Sequence, residues 1–207
     1  MKDFFLTNYS NERFIDHLKE LFNDCDSFSL TVSFIKEAGL VLIKDSIENA
    51  LERGVEGRII TSTYQNFTDI QSLRTFRLWM DKYPNFSCHI DYDSFEDNGF
   101  HTKGYIFEFK DHYELLVGST NITRFALLKN IEWNVSLFRD KEDPIINETL
   151  NEFNYLWDNT FVLTEEIIKK YTIQIDYAIE RWDRTLLLII KTNKSLLIWC
   201  KERHWKN

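Results

Sequence analysis

Three β-type runs follow one another closely in the middle of the chain: Gly104 to Phe109, Tyr113 to Val117 and Ile131 to Phe138. Runs this rich in branched and aromatic residues, divided by short polar turns, are predicted to form adjacent strands of one sheet. His101 and Lys103 open the first run, and a period of two sends both side chains to one face. Gly118-Ser119 closes the second run, and Asn121 follows where a polar turn hands over to a short helix. Glu132 lies near the start of the third. The spacing therefore predicts one imidazole, one ammonium, one carboxamide and one carboxylate at the same end of a sheet.

The flanking sequence supplies helices and further strands. Asn11 to Phe22 is predicted to be a helix with Phe14, Leu18, Leu21 and Phe22 on one face. His17-Leu18-Lys19 within it repeats the His-x-Lys spacing. On a helix, residues two apart point about 200° apart, so these two cannot meet one ligand, and His17 is expected to be exposed. Ser27 to Ile35 reads as a strand, and Glu37 to Arg53 as one helix closed by Gly54. Gly57 to Thr63 reads as a short buried strand. Thr68-Asp69-Ile70-Gln71 reads as a capping box that opens a helix, and Phe86 to Tyr92 as another strand. Asp91 to Gly99 is an acidic loop leading into His101. Asp143-Pro144 marks an N-cap with proline at the first helical position, and a further helix begins at Thr164. In the tail, Leu186 to Ile190 and Leu196 to Cys200 are predicted to pair as a hairpin. The order gives an α/β class: a mixed β-sheet flanked by helices, with a helical C-terminal appendage.

Composition narrows the functional classes. A chain of 207 residues with 43% hydrophobic content can bury a substantial core, which excludes a disordered polypeptide. No run reaches the roughly 18 to 20 apolar residues of a membrane span, and the first residues lack a secretory apolar stretch, so a cytoplasmic location is expected. Cys25, Cys88 and Cys200 form no metal-binding pattern, and no metal or cofactor is expected. The net charge of −8 runs against a strong intrinsic grip on nucleic acid. Arg53, Arg58, Arg74, Arg77, Arg124 and Lys129 are the residues from which a local basic cluster would be built.

The pattern HxK (His101, Lys103), then GSxN (Gly118, Ser119, Asn121), then Glu132 in the segment NIEWN resembles the phospholipase D superfamily. Thr61-Ser62-Thr63-Tyr64 with Thr68-Asp69 adds likeness to its nuclease-like branch, found in metal-independent restriction endonucleases and in the amino-terminal domain of restriction-associated helicases. The likeness covers roughly residues 25 to 160. It departs where the superfamily often places Asp five positions after Lys; Glu108 stands there. The resemblance implies residues 1–160 as a phosphodiesterase domain, and residues 161–207 as a C-terminal helix and tail, a linker to a further domain. It implies that His101 attacks phosphorus or serves as acid and base. Lys103 and Asn121 would hold the non-bridging oxygens, Ser119 would donate to the substrate, and Glu132 would accept from the imidazole nitrogen that does not react. Metal independence and DNA as the substrate follow from the same likeness, with a helicase or restriction-system partner. Two histidines are needed and one acceptable motif exists, so a homodimer with a composite site is expected.

Two other classes compete. A phosphodiesterase of lipids or small esters would use the same residues, but no amphipathic basic helix or lipid-anchoring motif favours a membrane substrate. A non-catalytic module that binds DNA or a partner suits the acidic charge and conflicts with the intact His, Lys, Asn and Glu set. No phosphate loop of the GKS/T type is present, so no ATP-driven motor lies in these residues.

Overall fold

A computed structural model describes residues 3–92 and 99–192, with side chains through residue 181. The elements in order are β1 (Phe4–Leu6), α1 (Phe14–Asp24), β2 (Ser27–Val32), α2 (Glu37–Leu40), α3 (Lys44–Glu52) and β3 (Glu56–Ser62). A one-turn 3-10 segment, Tyr64–Asn66, leads to α4 (Ile70–Lys82) and β4 (Phe86–Asp91). Then come β5 (Lys103–Glu108), β6 (His112–Gly118), α5 (Arg124–Leu128), β7 (Asn134–Asp140), α6 (Pro144–Asp158), β8 (Phe161–Val162) and α7 (Glu165–Thr192). Among the described residues the strands form one mixed sheet in the order β1-β7-β6-β5-β2-β3-β4-β8. The β2–β3 and β3–β4 pairs are parallel, joined through helices, and the other pairs are antiparallel. The chain divides into two compact units, residues 1–168 and 169–207. The first holds the whole sheet; of the second, a helical backbone is described as far as Thr192.

Both faces of the sheet are apolar. On one, Phe14 and Phe22 of α1 pack edge-on against Tyr105, Phe28 and Phe107, and Phe76 of α4 meets Phe86. On the other, Phe153, Leu156 and Ile146 of α6 pack with Ile60, Ile106 and Leu115. Burial is accordingly continuous along the central strand β2 from Phe28 to Val32, as a sheet sandwiched between helices requires. Toward the β1 edge no described helix covers the α6 side. The paired residues Val117, Val135 and Phe5 lie 49%, 39% and 55% exposed in one row.

Several expectations are corrected here. The helix expected over Glu37 to Arg53 is two, because the chain turns at Ile43 (φ −121°, ψ 0°). Leu40, Ile43, Ile47 and Leu51 are nevertheless all buried, so the apolar spacing reports burial and not continuity. Gly54 closes α3 with φ +89°, a conformation that costs glycine little. The cap of α4 is Asp69, not Thr68. Its carboxylate accepts from the Ser72 N–H (2.9 Å) and hydroxyl (2.7 Å), and from the Glu37 N–H (2.8 Å), so one side chain starts two helices. His17 is buried, not exposed, and bonds Glu114 on the sheet. The tail hairpin is overturned for its first half, since Leu186 to Ile190 continue α7 as helix. Its second half, with Cys200, lies outside the described residues, as does most of the acidic loop before Gly99. The short strands β1 and β8 went unread, being too brief to show a period.

Candidate active site

β5 begins at Lys103, so His101 and Thr102 precede the strand instead of opening it. Ser33 extends the β2 pairing by one step: its N–H donates to the Thr102 carbonyl (2.9 Å). The Thr102 hydroxyl meets that of Thr31 on the α6 side (2.5 Å). Alternation then puts Lys103 on the opposite side, in one row with Val32, Gly118 and Asn134.

Lys103 is half-buried and well held. Its ammonium donates to Ser33 Oγ (2.9 Å) and to the His101 carbonyl (2.6 Å), and lies 5.7 Å from the Phe34 ring centre. Burial pulls its pKa below the ordinary lysine value, with the charge of Glu132 acting against that pull. A partly desolvated ammonium favours an anionic ligand, which would restore what burial removed. The exposed ring of His101 packs edge-on against Tyr64 (4.9 Å), and its Nδ1 lies 3.4 Å from Lys103 Nζ. On its other side His101 borders a cavity of about 270 Å³ that Glu152 and Tyr155 of α6 also line.

Gly118 and Ser119 are tied to the segment before β7. A Cβ on Gly118 would lie 2.3 Å from both the Trp133 carbonyl and Asn134 Oδ1, so only glycine lets the two strands close here. The Ser119 N–H donates to the Trp133 carbonyl (3.0 Å), and its hydroxyl accepts from the Trp133 N–H (3.1 Å). That hydroxyl donates to the carboxylate of Glu132, which also accepts from Asn130 Nδ2 (3.2 Å). Buried Asn134 donates to Thr120 Oγ1 (2.8 Å), fixing the turn between Ser119 and Asn121. The Asn121 carbonyl oxygen accepts from the Phe34 N–H (3.4 Å). With that oxygen engaged, its NH₂ is the group left to meet a ligand.

The structure thus gathers Lys103, His101, Ser119, Asn121 and Glu132 at one end of the central strands. Glu132 lies in the loop before β7, not in the strand, and its carboxylate accepts from Ser119 and Asn130 instead of from His101. Ser33 and Phe34 escaped the sequence reading, and Tyr64 entered it only as part of the family likeness, with no role. The signal was available: Ser33 and Phe34 directly follow β2, and Tyr64 follows β3, the carboxyl ends of parallel strands where α/β sheets place ligands. The expected basic cluster is dispersed. Arg53 donates to the Phe22 carbonyl, Arg58 packs on Phe153 and Trp157, and Arg77 pairs with Asp81. Among the described residues, no three His, Cys, Asp or Glu side chains are grouped to hold a metal ion. Nor is any described helix long and apolar enough to cross a membrane.

The sequence profile of the family described as "Cardiolipin synthase, PLD-like domain" matches residues 26–157, more than half of the chain. Among solved structures, NucT from Helicobacter pylori is 19% identical with a TM-score of 0.60; the match covers 78% of this chain and 98% of that one. Nuc from Salmonella typhimurium, a phospholipase D family member, is 17% identical with a TM-score of 0.57 and the same coverage, 78% and 98%. TrmBL2, an archaeal chromatin protein with a novel mode of DNA binding, is 15% identical with a TM-score of 0.51, over 78% of this chain and 54% of that one. At such identities the likeness is one of fold. No curated protein sequence matches.

Proposed function

The chain belongs to the phospholipase D-like family, and we propose that it is a metal-independent phosphodiesterase that cuts DNA through a phosphohistidine intermediate. The observation that carries the reading is the convergence of His101, Lys103, Asn121 and the Ser119–Glu132 pair at one end of the central strands. In the proposed reaction, His101 attacks phosphorus while Lys103, as a charge, and Asn121, as a neutral donor, hold the non-bridging oxygens. The P–O bond to the leaving oxygen breaks, and the partner subunit's His101 supplies its proton. Water then attacks the phosphohistidine, with the partner subunit's His101 as base, and both imidazoles return to their starting state.

The tautomer matters. An ammonium donating to His101 Nδ1 leaves the proton of a neutral ring on Nε2, a form that cannot attack through that nitrogen. The nucleophilic form needs the proton on Nδ1 and an acceptor for it. Glu132 is the carboxylate for that role, once a phosphate has claimed Lys103 and the ring has turned away from it.

A second copy of the chain supplies the second histidine. Supporting this is the bare row Val117, Val135 and Phe5, with Trp133 edge-on to Phe5 (5.5 Å). Apolar side chains left exposed side by side are suited to an interface. It runs into a groove of about 400 Å³ between α6 and the sheet whose wall includes Thr102 and Lys103. A twofold axis there would bring the two His101 loops together. DNA is favoured by the fold shared with a DNA-binding chromatin protein, and the −8 charge calls for a helicase or restriction-system partner to add grip. Residues 1–160 would be the catalytic domain and 161–207 the connection to that partner or to a further domain. The test is cleavage of single- and double-stranded DNA with and without EDTA, beside His101→Ala. Cleavage that persists in EDTA and vanishes in the variant supports the reading; cleavage restored only by Mg²⁺ contradicts it.

A further inference from the structure

Three aromatic rings that no step above uses stand beside the phosphate-holding groups. Phe34 follows β2 and lies under the Lys103 ammonium; Phe67 leans on Phe34 with ring centres 5.1 Å apart; Tyr64 touches His101. Phe67 is 44% exposed, which a ring placed for core packing alone would not be. The segment that carries Tyr64 and Phe67 is held in an unfavourable shape. Gln65 and Asn66 have φ of +52° and +58°, consecutive left-handed residues with no glycine. Such strain persists only where the surrounding structure enforces it, and it concentrates at ligand sites. The segment is tied to β4, where the Thr63 N–H (3.0 Å) and hydroxyl (3.2 Å) both donate to the Asp91 carbonyl, and the turn is closed by the Asn66 N–H on the Thr63 carbonyl (2.9 Å) and the Phe67 N–H on that of Tyr64 (3.2 Å).

From this placement we infer that Phe34 and Phe67 form a stacking wall for the base next to the scissile phosphate, so the site takes an unpaired strand of nucleic acid. The inference rests on the phosphodiesterase reading. A phosphate seated on Lys103 carries its sugar and base outward past Phe34, and an exposed flat ring accepts the face of any base. A base inside a duplex has both faces covered by its neighbours and has none to offer. Stacking also answers the charge problem. A chain of net charge −8 gains little from counterion release, and aromatic contacts attract a strand without it. The alternative occupant of such a wall is the interfacial region of a lipid bilayer, which the test includes.

The measurement is fluorescence anisotropy on the full chain carrying His101→Ala, so that ligand is not consumed. Three labelled probes are compared, namely a single-stranded oligonucleotide, the same backbone with abasic sites and a blunt duplex, and phosphatidylserine vesicles are added as a competitor. Removing the bases is expected to weaken binding about ten-fold, and the duplex to bind no better than the abasic strand. Phe67→Leu keeps an apolar side chain and removes the ring. It is expected to weaken the base-bearing strand about ten-fold and leave the abasic strand unchanged, while Phe67→Trp binds like the parent. Equal weakening of both strands by Phe67→Leu, duplex binding as tight as single-strand binding, or a Phe67-dependent preference for phosphatidylserine vesicles would each overturn the inference. Hydrolysis of bis(p-nitrophenyl) phosphate by the unsubstituted chain separates the two readings. Hydrolysis without base coupling sinks the stacking wall alone, and its absence sinks the phosphodiesterase.

Discussion

The ammonium of Lys103 donates to the hydroxyl of Ser33 at 2.9 Å, from the first residue of β5 to the residue just past β2. Ser33 is fully buried and its own hydroxyl donates to the Thr102 carbonyl (3.1 Å), so it sets both the path of the His-x-Lys segment and the position of its charge. Ser33→Ala is expected to cost about 1 kcal/mol of stability and about ten-fold in kcat/KM through misplacement. Lys103→Ala removes the charge itself and should cost about 10² to 10³ in kcat. Steady-state kinetics on both variants check the order; a Ser33→Ala chain with unaltered kinetics shows that the ammonium is placed by something else.

Gly118 is the tightest point of the site, with its missing Cβ aimed at the Trp133 carbonyl and Asn134 Oδ1. Gly118→Ala must push β6 and the segment before β7 apart, which breaks the Ser119 and Asn134 bonds with them. The expected loss is about 2 kcal/mol or more, read as a lower denaturant midpoint, with cleavage lost. Retained stability and activity would mean that the approach of these strands is looser than the distances say.

His17 and Ser136 both bond the carboxylate of Glu114, pinning α1 to β6 and β7. Burial disfavours both charges, yet the pairing overcomes it, leaving His17 raised above and Glu114 lowered below their ordinary values. The raised His17 contributes stability fully below its unfolded pKa of about 6.5 and loses it as pH rises through the folded value. The lowered Glu114 contributes fully above its unfolded value of about 4.3 and loses it as pH falls through the folded value. The pair therefore stabilises most between these two values. Glu114→Gln, which strands a buried imidazolium, should cost about 3 kcal/mol there and progressively less toward higher pH. Thermal melts across pH 4 to 9 test this, and a difference that does not shrink with rising pH contradicts it.

What the sequence displayed and what it hid differ by interaction range. The pattern from His101 to Glu132 was legible because three antiparallel neighbours keep sequence order and register in step. The continuous helix over Glu37 to Arg53 misled because its apolar spacing is kept across a turn that only tertiary packing enforces. His17 looked like a solvated residue on a helix; its partner lies 97 positions away, beyond any local signal. Ser33 and Phe34 were read only as part of a strand, since nothing local shows that β2 ends beside Lys103.

Two copies are needed for two histidines, and the bare row Phe5, Val117 and Val135 is where they would meet. Val135→Glu, a surface change that leaves the core alone, is expected to convert a dimer to a monomer in sedimentation velocity and to remove cleavage. His101→Ala should remain a dimer. An unsubstituted chain that sediments as a monomer at assay concentration contradicts the shared site.

The attack of His101 on phosphorus is tested most directly by quenching a turnover in EDTA with alkali, which preserves phosphohistidine, and locating the adduct by mass spectrometry. The account predicts a phosphorus-linked product on the peptide that contains His101, and none in His101→Ala. A chain that turns over in EDTA while His101 stays unmodified at every quench time would contradict it.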